Sequence, residues 1–202
     1  MLPDVRAAYP SGDFSTALNS FQNAVTVSDL DAVFGAPADP AKLRAMTAGN
    51  SLDLYAFIPA YGLFLCAAVM MLAGGLKSPL GFAALALAGI GAAADVVETA
   101  RQLRMTTDWA NAASLLPIAP WRMAKYFGLA GNALAIGVIC LRSAPRRWVL
   151  GVIGLLPIVG VFLDALRVLP TPALMSAVFG LFWIALLIVG IVETVRAKGA
   201  SA

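Results

Sequence analysis

The sequence predicts an all-α fold: a polytopic membrane helix bundle of about five transmembrane helices, preceded by a short helical N-terminal lead. Three observations carry this. The chain is 60% hydrophobic and 12% charged, about half the charge usual in a soluble domain. Its apolar residues fall into five runs of about 20 residues, the length that crosses the hydrocarbon of a bilayer at about 1.5 Å per residue. Gly, Pro and Arg bound these runs, and no such run falls within residues 1–50.

The lead comes first. It is mixed in polarity and has no secretory h-region, so it reads as part of the working protein and not as a cleaved signal. Phe14, Leu18, Phe21 and Val25 recur at helical spacing and form one apolar stripe. Ser28 and Asp31 have capping-box spacing, and Gly35 suits the end of the helix they begin. Asp39-Pro40 reads as an N-cap followed by proline at the first helical position. Residues 1–50 thus form an interfacial or lid segment of two or three short helices, and 51–202 form the bundle. The spans follow at 52–73, 80–101, 121–141, 148–166 and 173–195. Pro59 and Pro157 lie inside the first and fourth and should kink them.

Several function classes are excluded early. The chain has no histidine, so imidazole-ligated haem, histidine-bound zinc and a Ser-His-Asp triad are out of its reach. No cofactor and no metal is expected. Cys66 and Cys140 sit in apolar runs without CxxC spacing and read as small hydrophobes. A net charge of +3, scattered at span ends, does not suit nucleic acid. The glycines and alanines at Gly81, Ala88, Gly128, Gly131, Ala135, Gly151, Gly154 and Gly160 follow no soluble strand; they read as close-packing positions and not as a phosphate loop.

Polar residues then stand out against the apolar background. Alternating helix direction brings Asp53 and Tyr61 of span one, Asp95, Glu98 and Arg101 of span two, Arg122, Lys125 and Asn132 of span three, and Asp164 and Arg167 of span four to the same membrane face. Carboxylates are costly in hydrocarbon, so Asp95 and Glu98, three apart on one helix side, mark a site. Expected pairings are Glu98 with Arg101, Asp164 with Arg167, and Asp95 with Lys125. Asp95, Glu98, Lys125, Tyr61, Asn132, Asp164 and Asp53 are the candidate ligand-binding residues; no catalytic residue is assigned. Glu193 and the basic residues Lys77, Arg142, Arg146, Arg147, Arg196 and Lys198 lie at the opposite face. Short, almost purely basic loops there favour a cytoplasmic position for that face, with the N-terminus outside.

Three segments carry a resemblance: SLDLYAFIPAYGLFL, AAADVVETARQL and APWRMAKYFGLAGNAL. Over residues 14–141 the chain resembles a loosely defined group of small bacterial multi-pass membrane proteins with an intramembrane Asp-x-x-Glu motif and a three-helix core. That motif often continues to Asn in the group; here Thr99 follows. The resemblance implies the core architecture and a bacterial inner-membrane location, and no activity. A fainter resemblance is to the four-helix emopamil-binding and sigma-2-receptor type of sterol-binding protein. Three functions suit the residues: a charged intramembrane pocket that binds or transports a small amphipathic or cationic ligand, an accessory subunit of a larger membrane complex, and a membrane enzyme acting on a lipid-like substrate by carboxylate acid/base chemistry. The partners expected are the lipid bilayer, a small-molecule or lipid ligand, and other membrane subunits.

Overall fold

The computed structural model describes residues 3–74, 78–143, 147–166, 168 and 172–199; among them every regular element is a helix. Three short helices, α1 (Pro3–Ala8), α2 (Phe14–Gln22) and α3 (Val27–Phe34), form the lead. They are followed by α4 (Pro40–Leu52), which continues through a π-helical turn, Asp53–Phe57, into α5 (Ile58–Ala73). Next come α6 (Pro79–Thr107), a 3₁₀ segment Trp109–Leu115, α7 (Ala119–Arg142), α8 (Trp148–Ile153), α9 (Leu156–Ala165) and α10 (Pro172–Gly199). Five of these stretches are long and apolar enough to cross a membrane. Lys77, Arg146, Arg167 and the side chain of Lys198, which enter the topology and pairing expectations, lie outside the described residues.

Both internal prolines act where expected, each in its own way. Pro157 has no N–H and its ring crowds the carbonyl four residues back. The helix of span four accordingly stops at Ile153 and restarts at Leu156, with Leu155 N–H bonded back to Val152 O at 3.1 Å. Before Pro59 the chain widens: Ile58 N–H reaches Asp53 O, five residues back, which makes the π turn. The helix bearing span one also starts twelve residues before the predicted 52, at Pro40. Its 34 residues measure about 51 Å, well beyond a hydrocarbon core of about 30 Å. The polar first turns, with Lys42, Arg44, Thr47 and Asn50, are the excess.

The chain divides into two compact units, Met1–Tyr61 with Ala92–Lys125, and Gly62–Gly91 with Tyr126–Ala202. The first unit holds the lead. Phe21 and Phe34 are fully buried and meet edge-on at 5.0 Å; Trp109 stacks edge-on against Phe34, also at 5.0 Å. Each such phenylalanine contributes about 1.5–3 kcal/mol by burial. Met46, Met105 and Ile118 complete this core, and Ile118 N–H donates to Ala24 O at 3.0 Å. Gly49 leaves room for Phe14: a Cβ there would lie 2.9 Å from the ring. The lead is therefore docked on the ends of α4 and α6 and on the segment before α7.

Two details of the lead differ from expectation. Val25 is exposed, because α2 ends at Gln22 and Ala24 takes the buried place. The capping box is Thr26–Asp29, two residues before the predicted pair. Asp29 N–H donates to Thr26 Oγ1 at 3.3 Å, and Thr26 N–H donates to Asp29 Oδ2 at 2.8 Å. Val25 N–H donates to the same carboxylate oxygen, and these backbone donors hold the Asp29 carboxyl below the ordinary aspartate range. The Gly35 and Asp39-Pro40 boundaries form as expected; Asp39 Oδ1 accepts from Ala41 N–H at 2.7 Å.

The second unit is held by close helix crossings. A Cβ on Gly128 of α7 would lie 2.6 Å from Gly91 N of α6, so only glycine permits the contact. Gly137, Gly151 and Gly154 bring α7 and α8 together in the same way.

Candidate functional site

The polar positions of α6 make one stripe. Asp95, Glu98, Thr99, Gln102 and Thr106 recur at three- and four-residue spacing, and all are buried. Below Asp95, the Gly91 position lets α7 run close to α6. One turn further along α6 comes Asp95, and one turn back along α7 from Gly128 comes Lys125.

Lys125 bridges both acids. Its Nζ lies 3.1 Å from Asp95 Oδ1 and 2.8 Å from Glu98 Oε2. The side chains of Lys125, Asp95 and Glu98 are 7%, 6% and 0% exposed. Tyr61 of α5 donates its hydroxyl to Asp95 Oδ2 at 2.8 Å. The Thr99 hydroxyl lies 3.5 Å from Asp95 Oδ1 and 3.3 Å from Asp53 Oδ2. It has one hydrogen, so it serves one acid at a time and links the two. Gln102 Nε2 donates to Glu98 Oε1 at 3.4 Å. Asp53, Tyr61, Asp95, Glu98 and Lys125 are thus brought together by α5, α6, α7 and the π turn.

Charge counting is informative here. Among the described residues, the buried charged groups of this unit are Asp95, Glu98, Arg122 and Lys125, two acids and two bases. Arg122 stands within electrostatic range of Glu98. Asp53 is a third carboxylate at the edge of this set. It is half-buried, stands at the first position of the π turn and is joined to the balanced set through Thr99. Asp53 is the most exposed of the three carboxylates in the cluster.

The remaining candidates fall in the second unit. Asn132 is fully buried and donates through Nδ2 to Ala84 O at 2.9 Å, an interhelical bond between α7 and α6. Asp164 is half-buried near the end of α9, and its expected partner Arg167 lies outside the described residues. The Glu98–Arg101 pairing is replaced: Arg101 Nε and Nη2 both donate to Leu115 O, because the 3₁₀ segment brings that carbonyl within reach while Lys125 takes Glu98. Glu193 is not solitary; it accepts from Arg147 Nε at 3.3 Å and Nη2 at 3.0 Å.

Sequence reasoning missed Thr99, Gln102 and Asn50. The first two carry a legible signal, since they continue the stripe of Asp95 and Glu98 at helical spacing. Asn50, one turn before Asp53, is buried, and its amide nitrogen finds no protein acceptor among the described residues. No cluster of acids and cysteines suited to a metal ion occurs among the described residues.

Five apolar spans and a buried, acid-rich cluster define an all-helical multi-pass membrane protein. Comparison of the chain with protein-family models, with curated proteins and with solved structures gives no match.

Proposed function

We propose that the protein binds or transports a small cationic or amphipathic molecule, held at the Asp53–Asp95–Glu98 cluster. One observation supports this above all: three carboxylates, Asp53, Asp95 and Glu98, converge around Lys125 and Thr99, and Asp53 is the most exposed of them. A carboxylate in low dielectric without a counter-charge costs several kcal/mol. An ammonium group at Asp53 supplies that counter-charge, and the Thr99 hydroxyl turns between Asp53 and Asp95 as the charge arrives. The lead sits outward of the site. Met105 and Ile118 of its core are each seven residues, about 10 Å of helix, from Glu98 and Lys125. The lead thus serves as the lid. The inward aim of the acids supports a ligand role over a docking role for the cluster. The location proposed is the bacterial inner membrane, with the lead on the outer side.

The test is binding of a hydrophobic cation, tetraphenylphosphonium, to protein reconstituted in nanodiscs. Asp53→Asn should weaken binding about tenfold or more, the effect of removing one carboxylate charge that attracts the cation, while leaving the melting temperature near that of the wild type. Equal binding by the two proteins defeats the proposal. Labelling of a cysteine introduced in the lead from one side of sealed vesicles checks the orientation.

A further inference from the structure

A second charged feature lies in the other unit, and the proposed ligand site does not use it. A groove of about 490 Å³ runs between α8 and α10. Its walls are apolar, with Ile153, Leu181, Ile184 and Ile188 among them, and its end is basic, with Arg147 and Arg196. From Leu181 to Val192, both lining it, α10 rises about 16 Å. That is about half of the ~30 Å hydrocarbon core, one leaflet deep. Trp148, which is mostly exposed, also lines the basic end; tryptophan at a span end marks the headgroup level.

The charges at that end do not cancel. Glu193 Oε1 receives Arg147 at 3.0 Å and lies 3.9 Å from Arg196 Nη1. One carboxylate faces two guanidiniums, so the end keeps one positive charge. The Arg196 side chain is 69% exposed and extends beyond the pair. Glu193 fixes Arg147 in place while Arg196 reaches for a further anion. Guanidinium groups suit phosphate because their planar donors can engage two of its oxygens.

We propose that this groove is a binding site for one anionic phospholipid, with an acyl chain along α8 and α10 and its phosphate held by Arg147 and Arg196. The occupant is set by three features together: a one-leaflet length, apolar walls and a net positive end. A plain apolar face would take any lipid tail; the basic end selects the headgroup. The proposal is independent of the acidic cluster and stands or falls without it.

The experiment measures thermal stability of the detergent-solubilised full chain with added dioleoylphosphatidylglycerol or dioleoylphosphatidylcholine, and counts retained lipid by native mass spectrometry. The wild type should retain phosphatidylglycerol about fivefold better, the preference expected from one net positive charge at an anionic surface. Arg196→Gln, which leaves the Arg147–Glu193 pair intact, should abolish the preference. Ala185→Phe, which fills the groove, should release the lipid without lowering the melting temperature in its absence. Equal retention of the two lipids by the wild type overturns the proposal, as does a preference that survives both substitutions.

Discussion

Two ion-pair clusters in this protein use the same chemistry at different depths. In the first unit, Lys125 joins Asp95 and Glu98 with all three side chains nearly sealed from solvent. In the second, Arg147 joins Glu193 with side chains 23% and 28% exposed. The distances are nearly the same, 2.8–3.1 Å in the first and 3.0 Å in the second. Depth decides what each does. A buried charge cannot do without its partner, so the Lys125 cluster is held together by necessity and supported by Tyr61, Thr99 and Gln102. A partly exposed pair can exchange its partner for water at little loss.

The largest effect should come from breaking the buried cluster. Lys125→Met removes the one cation that Asp95 and Glu98 share and should destabilise the protein by about 3–5 kcal/mol. Arg147→Met should shift stability by less than about 1 kcal/mol. Melting temperatures in one detergent compare them directly. Adding Glu98→Gln to Lys125→Met should recover part of the loss by removing one of the stranded charges. Equal shifts for the two single variants would show that depth is not the deciding variable.

A smaller effect tests the supports. Tyr61→Phe removes the hydroxyl that donates to Asp95 and keeps the ring that packs on Phe57. A hydrogen bond to a charged group is worth about 1.5–3 kcal/mol, so the melting temperature should fall by less than in Lys125→Met and more than in Arg147→Met. A drop as large as that of Lys125→Met would assign the cluster's stability to the tyrosine and not to charge balance.

The smallest effect belongs to the exposed limit of the comparison. Asp29 caps α3 in solvent, and its backbone donors lower its pKa. A lowered native value means that the carboxylate contributes stability above its unfolded pKa, near 4, and loses it as pH falls through the native value. A carboxyl NMR titration of Asp29 should therefore give a midpoint below about 3.9. In Thr26→Ala, which removes the hydroxyl of the capping box, the midpoint should move back towards that value. A wild-type midpoint at or above it would remove the cap from the account.

Membrane helices are easy to read because each must satisfy its own backbone and bury about 20 apolar residues in sequence. The five spans, the proline positions, Gly35 and the Asp39-Pro40 boundary depend on information within a few residues, and each was legible. So was the Asp95–Lys125 pair, since few cations lie at that level of the bundle. Legibility failed where a competing partner came from far along the chain. Arg101 left Glu98 for Leu115 O because the 3₁₀ segment folds back towards α6. Val25 lost its place to Ala24 because α2 stops a turn early. The continuation of span one back to Pro40 was hidden because its polar turns carry no hydropathy signal.

Sequence alone determined that this is a helical membrane protein without histidine chemistry, and that Asp95 and Glu98 share a helix face. Composition and spacing are local properties, and the bilayer turns them into structure directly. Tertiary structure decided that one lysine serves both acids, that Thr99 links them to Asp53, and that Asp53 is the most exposed of the three acids. Charge balance is a sum over helices that meet only in the folded chain, and burial, which sets the energy of each charge, exists only once they have met.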